Sequence, residues 1–293
     1  MSDPVVVGVD GSVSGLNAVA VAAREAHLRD APLRIVHACD PPPPYLPPGA
    51  APWPPFDPLL EPTVQGVLTR AEERASEAAP DIDVFLSVVA AETLEVLEVE
   101  SRSAALAVVG GRGRSAFAGL LLGSTAAQLA AHGRCPLMVV RGRPAPAGPV
   151  LLAVDGSPAG EAAVEFAFTE AALRDAPLVA LHVWNTWSAR THESPGAPPI
   201  AVVSDVDHLR EAEQRLLDET VAHRRENRPT IDVERRLVRS RIRPALIDAS
   251  RGAQLMVVGA RGRGGFTGLL LGSVGQALLH HAHCPVTVVR GKE

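Results

Sequence analysis

Two glycine loops of identical spacing stand 149 residues apart in this chain. The first is Gly110-x2-Gly113-x9-Gly123-Ser124 and the second is Gly259-x2-Gly262-x9-Gly272-Ser273. Glycine has no Cβ, so the amides of such a loop can approach a phosphate closely and positive φ is open to them. Gly123 and Gly272 lead into helix-like segments, whose free N–H groups and positive dipole end favour an anion. Ser124 and Ser273 add a hydroxyl there, with Thr125 and Val274 next in the turn. Arg112 and Arg114 bring positive charge to the first loop, and Arg261 and Arg263 to the second. Asp10 and Asp155 close the first apolar run of each half and suit a pair of ribose hydroxyls. The small residues Gly8 and Ala153 just before them leave room for a base. The composite is a ribose-plus-phosphate site in each half. The plainer alternative is that the glycines only turn the chain and that Ser124 is only an N-cap. On the phosphate reading, Gly262→Glu should block the ligand at little cost to the fold.

Other chemistries fit less well. GxxxxGK[ST] is absent, which excludes a P-loop NTPase. Gly111-x-Gly113-x-x-Ala116 imitates a dinucleotide fingerprint, but it follows the fourth strand, and in the second copy Gly262-x-Gly264 is followed three places on by Thr267 instead of a small residue. His280, His281 and His283 could suggest a metal, or be cations at a helix C-terminus. Cys135 and Cys284 each precede a proline and read as small core residues; a redox role is the alternative. Glu161 and Glu165 read as a solvated helix face, since the first half has Leu16 and Ala20 there. No nucleophile–base pair recurs in both halves, and no metal site is expected.

The elements that must position these groups also repeat. Val9-Asp10-Gly11-Ser12 returns as Val154-Asp155-Gly156-Ser157, and Arg29-Asp30-Ala31-Pro32-Leu33 as Arg174-Asp175-Ala176-Pro177-Leu178. His37 returns as His182, and Cys135-Pro136 as Cys284-Pro285. The chain is therefore a tandem duplication, with domains expected over 1–143 and 144–293 about the linker Gly142–Gly148. In each half apolar runs alternate with helix-compatible stretches. Val5–Val9 and Val150–Val154 are continuous and suit a strand covered on both faces. Such alternation demands parallel sheets with right-handed crossovers. The expected fold class is α/β: two tandem doubly wound, Rossmann-like domains, each a five-stranded parallel sheet of order 3-2-1-4-5. Strands one and four then flank the topological switch, and the Asp and the glycine loop converge on one crevice. The loops after strand two differ: 40–58 holds ten prolines and 185–200 three. The first is a stiff loop near the site mouth or a PxxP ligand.

The 293 residues are 46% hydrophobic and 21% charged, a globular composition. A net charge of −5 argues against a nucleic-acid partner or a polybasic membrane binder. No apolar run approaches a bilayer span. The first residues lack a basic stretch, and the three cysteines form no CxxC pair, so a cytoplasmic setting is expected.

The G-x2-G-x9-G-[ST] loops, the strand-one Asp and the closing Cys-Pro-[LV]-x-Val-Val-Arg resemble the universal stress protein family, specifically its tandem, ATP-binding type. The resemblance implies that Asp10 and Asp155 contact ribose, and that Ala38 and Val183, which follow the strand-two histidines, pack on adenine. It implies that Gly110, Gly113, Gly123 and Ser124, and Gly259, Gly262, Gly272 and Ser273, hold phosphates. It further implies one ATP per domain, with or without Mg, a role in stress response and pairing of chains into a homodimer; the protein client is unknown. Ser115-Ala116 stand where the second unit has Gly264-Gly265, so the first loop should be stiffer and the second site tighter. The expected activity is nucleotide-dependent regulation or protection, without catalytic residues and with at most slow ATP hydrolysis. Two alternatives stay open: an ATP-hydrolysing or nucleotidyl-transferring enzyme of the same fold, and a scaffold with vestigial sites.

Overall fold

The computed structural model describes residues 2–39, 62–111, 113, 122–186, 206–263 and 271–291. The chain divides into two compact units, Met1–Val140 and Arg141–Glu293, so the boundary falls slightly before the expected one. The proline-rich stretch 40–58 lies outside the described residues.

Unit 1 alternates throughout. It runs β1 (Val5–Gly8), α1 (Val13–Leu28), β2 (Leu33–Cys39), α2 (Pro62–Ala78), β3 (Val84–Ala90), α3 (Thr93–Glu100), β4 (Leu106–Gly110), α4 (Ser124–His132) and β5 (Leu137–Val140). Its strands are all parallel, in the order β3-β2-β1-β4-β5. Unit 2 repeats this with β6 (Val150–Val154), α5 (Glu161–Leu173), β7 (Leu178–Trp184), α6 (Val206–Asn227), β8 (Val233–Arg239), α7 (Ile242–Ala249), β9 (Leu255–Gly259), α8 (Ser273–His281) and β10 (Val286–Val289). Its order is β8-β7-β6-β9-β10, again parallel. Each unit is the expected doubly wound α/β domain.

The continuous apolar runs become central strands buried on both faces: Val5, Val6 and Val7 in β1, and Val150, Leu151 and Leu152 in β6. The outer strands differ. β3 leaves Phe85 and Leu86 exposed, whereas β8 presents Glu234, Arg235 and Arg236.

The repeated Arg-Asp-Ala-Pro motif is a helix stop. Arg29 pairs with the buried Glu25 one turn earlier, and Arg174 with the buried Glu170. Asp30 and Asp175 then take φ of 48° and 47°. The next amides reach back, Ala31 to Ala26 (3.0 Å) and Ala176 to Ala171 (3.0 Å), which closes each helix with a left-handed cap.

Two helix starts in unit 2 are shaped by proline. α7 begins at Ile242, before Pro244, because proline is tolerated in the first helical turn, where its missing N–H has no partner to lose. α5 begins only at Glu161, behind a 3-10 turn at Pro158–Gly160.

Candidate functional site

In each unit the strand order reverses beside the first strand, between β1 and β4 and between β6 and β9, which opens a crevice beyond the strand ends. Asp10 and Asp155 sit there, half-buried. Asp10 Oδ1 accepts from the Ser12 amide (3.0 Å) and hydroxyl (2.6 Å), and the Ser12 hydroxyl accepts from the Gly15 amide (3.0 Å). Asp155 Oδ1 accepts from the Ser157 amide (2.9 Å) and hydroxyl (2.8 Å). Its Oδ2 accepts from the Arg263 amide (3.1 Å). The repeated Asp-Gly-Ser is thus a turn built around the carboxylate. Gly11 and Gly156 supply its positive φ, 79° and 67°.

The glycine loops come to the same carboxylates. A Cβ on Gly113 would stand 3.1 Å from Asp10 Oδ2, and one on Gly262 would run into Asp155 Oδ2. The second glycine of each loop therefore abuts the strand-one aspartate. This alters the expectation for Gly262→Glu: the new side chain meets the carboxylate before it meets any ligand. The loop ends are tied, Gly111 to Gly123 (3.0 Å) and Ala260 to Gly272 (2.8 Å). Gly123 and Gly272 are the N-caps of α4 and α8 and provide no side-chain cap. Ser124 and Ser273 are first helical residues and exposed, so Ser124 is not the N-cap. Thr125 and Val274 follow, half-buried.

A Cβ on Gly110 would stand 2.6 Å from Ser14 Oγ and 2.8 Å from its carbonyl group. Its absence admits the start of α1, so this glycine serves helix–strand approach. Gly259 is looser, with the Arg261 carbonyl 3.2 Å away. The space beside Gly8 is filled by Leu97 of α3, 3.0 Å from a Cβ placed there, so Gly8 makes room for a core leucine and not for a base. Ala153 is half-buried. Ala38 packs with Val89 against the cluster of Val6, Val36 and Val96, and Val183 is buried in β7. Arg112, Arg114, Ser115, Ala116, Gly264 and Gly265 lie outside the described residues. Arg261 and Arg263 are exposed, yet Arg263 is partly desolvated, which lowers its pKa; Glu213 and then Asp155 oppose that shift.

Glu213 was not singled out by sequence. It is buried in α6, and its Oε2 stands 2.5 Å from Nε2 of the buried His182. His182 Nδ1 donates to the Val154 carbonyl (2.7 Å), as His37 Nδ1 does to Val9 (2.8 Å). The legible signal was an acid inside the apolar stripe Leu209, Leu216, Leu217 and Val221 of α6.

Two side readings change. Glu165 is not merely solvated: it pairs with Arg224 (2.7 Å) and Arg228 (2.5 Å) and ties α5 to the end of α6. The C-terminal carbonyls of α8 are capped by Arg141, whose Nε donates to Ala282 (2.8 Å) and Nη2 to His280 (2.5 Å), with Leu279 also bound. His280 is correspondingly a poor cation: burial, His281 and Arg141 all lower its pKa. Burial pushes the Cys135 thiol up to about 11 and that of Cys284 to about 12, which disfavours the thiolate that redox chemistry needs. Among the described residues no three or more His, Cys, Asp or Glu gather to hold a metal ion, and no helix is long and apolar enough to cross a membrane.

Comparison with known proteins decides the family. The universal stress protein family model matches residues 1–141 and again 147–290. The chain belongs to the universal stress protein family. A universal stress protein of Mycolicibacterium smegmatis is 37% identical over 98% of this chain and 96% of its own length. One of Mycobacterium tuberculosis is 36% identical with the same coverage. The crystal structure of a universal stress protein from Archaeoglobus fulgidus superimposes with a TM-score of 0.65 over 99% of both chains, at 17% identity, and so shares the fold. Tandem universal stress protein domains therefore account for nearly the whole chain.

Proposed function

We propose that each unit binds one ATP, with or without Mg, and that the protein acts as a nucleotide-dependent regulatory or protective protein of the stress response. The observation that carries this reading is the meeting of the strand-end aspartate with the second loop glycine, in both units. Asp10 and Asp155 would take the ribose hydroxyls. The loop amides and the uncapped starts of α4 and α8 would take the phosphates, since helix N-termini attract anions. Arg261 and Arg263 would add charge in unit 2.

Binding, and not rapid turnover, is the proposed activity. The described carboxylates near the second loop are already engaged, Asp155 by Ser157 and Arg263, and Glu213 by His182. Pairing of chains into a homodimer and a cytoplasmic setting belong to the same proposal. The test is thermal unfolding of nucleotide-stripped protein. A ligand at about 100 times its dissociation constant adds about 2.7 kcal/mol per site. ATP should raise the melting temperature by several degrees, and NAD much less. No shift with ATP, or equal shifts with both, would refute the reading.

A further inference from the structure

The two units carry opposite charge along one matched edge. β3 and β8 are the outer strands, and they hold the same place: β3 pairs with β2 from Leu33 and Val84, and β8 with β7 from Leu178 and Val233. Leu33 and Leu178 are the same residue of the repeat. Phe85 therefore corresponds to Glu234, Leu86 to Arg235, Ser87 to Arg236 and Ala90 to Arg239. The helices that follow keep step, with Glu92 the N-cap of α3 and Arg241 the N-cap of α7. Among the described residues neither strand has a further strand on its far side.

The edge of unit 1 is apolar and acidic. Phe85 is 57% exposed and Leu86 41%. Asp81 and Asp83 stand before the strand and Glu92 and Glu95 after it, all exposed. Residues 81–101 contain no Lys, Arg or His. Unit 2 instead has five arginines in nine residues, Arg235, Arg236, Arg239, Arg241 and Arg243, all exposed. Arg235 pairs with Asp218 (2.8 Å) and Arg236 with Glu234 (2.8 Å), and Arg239 lies 5.7 Å from the centre of the Trp184 ring. Exposed pairs of this kind hold little energy and are readily exchanged. An edge strand offers a row of N–H and C=O groups to another chain, and charged side chains are a usual guard against that pairing. β8 has this guard, and β3 lacks it.

We propose that the β3 edge of one copy takes the β8 edge of a second copy, so that chains associate edge to edge. The proposal stands apart from nucleotide binding. Main-chain hydrogen bonds would extend the sheet. The arginine stems would cover Phe85 and Leu86, since their methylenes lie well on apolar surface. The flanking acids of unit 1 would meet the guanidinium groups of unit 2. The like pairings gather like charge: β3 on β3 brings acids to acids, and β8 on β8 brings arginines to arginines, and both are disfavoured. Because the two edges are unlike, the contact is heterologous. A joined pair still shows one edge of each kind, so further copies add until a ring closes or an open chain grows. The rival role for the arginines is to hold an anionic polymer such as a nucleic acid. That role leaves the exposed Phe85 and the acids around it without a partner, and it suits a chain of net charge −5 poorly.

The experiment uses the full chain and two double variants. Asp83→Lys/Phe85→Lys blocks the unit 1 edge with lysine, a natural edge guard. Arg241→Glu/Arg243→Glu blocks the unit 2 edge. Glu92 already fills the matching N-cap in unit 1, and acids suit the first turn of a helix, so this fold should hold. Circular dichroism melts check both variants. In sedimentation velocity the mean mass of the parent should rise with concentration and fall back in about 1 M salt, where charges are screened within about 3 Å. Each variant alone should associate at least about a hundredfold more weakly. Mixed in equal amounts, the two should form a complex heavier than either alone, because each supplies the edge that the other lacks. A contact elsewhere on the chain would survive in both variants and give no such gain. A parent whose mass ignores concentration or salt would overturn the proposal, as would a folded variant that associates like the parent. So would a mixture no heavier than its components. If, in that last case, a labelled single-stranded oligonucleotide binds the parent and not Arg241→Glu/Arg243→Glu, the basic edge belongs to an anionic polymer.

Discussion

Gly262→Ala is the smallest change that should cripple the second site. Its methyl group would run into Asp155 Oδ2. Relief requires the carboxylate to swing by about 1 Å, the gap between a clash and an ordinary contact. The swing breaks the 3.1 Å bond from the Arg263 amide and leaves the two Ser157 bonds on Oδ1. At an exposed position that bond is worth about 1 kcal/mol, below the range for sheltered charged acceptors. Fold stability should therefore barely change. A ribose presented to the displaced carboxylate loses a charge-assisted hydrogen bond of about 1.5–3 kcal/mol, so ATP binding in unit 2 should weaken by about tenfold to a hundredfold. Gly113→Ala is the internal comparison. Its methyl would stand 3.1 Å from Asp10 Oδ2, where a shift of a few tenths of an ångström suffices, and its effect should be smaller. Calorimetric titration of both variants, with circular dichroism melts on the same samples, measures both quantities. A Gly262→Ala protein that binds ATP in unit 2 like the parent would refute the assignment of Asp155 and Gly262 to one site.

Arg141→Ala should uncap the end of α8 and destabilise unit 2 by about 1.5–3 kcal/mol, read as a lower urea midpoint; an unchanged midpoint would show the cap to be dispensable. His280 has a folded pKa below its ordinary 6.5, so the unfolded chain binds more protons between those two values. Its contribution to stability is complete above about pH 6.5 and declines as the pH falls through that value toward the folded pKa. His280→Gln should flatten this part of the acid-side loss in urea titrations, and an unaltered pH profile would refute the assignment.

The fold was legible because its signals are local and occur twice. Continuous Val and Leu runs marked the doubly covered strands, and Asp-Gly-Ser and the loop glycines marked the corners. The sequence placed Asp10 with Gly113 and Asp155 with Gly262 because the switch point follows from strand order alone. What it missed depends on which side chains share a cleft. Gly8 looked like room for a ligand, but that room belongs to Leu97, 89 residues away in sequence. Glu213 is one of many charged residues in the segment that forms α6. Only the packing of α6 against β7 shows that it faces His182. The histidines at the end of α8 suited a dipole argument, but Arg141, distant in sequence, supplies that charge.

The corner after the first strand is not the same joint in the two copies. The Ser12 hydroxyl touches the aspartate and also caps the first turn of α1 through the Gly15 amide. The Ser157 hydroxyl touches its aspartate, but α5 starts later, behind the 3-10 turn, with no side-chain cap. Local opening follows such couplings. The first amides of α1 belong to the same cooperative unit as the carboxylate beneath them, and hydrogen exchange there reports on the state of the site. The first turn of α5 is free to fray alone, so the duplicated helix has kept its place in the fold while its start has been uncoupled from the site.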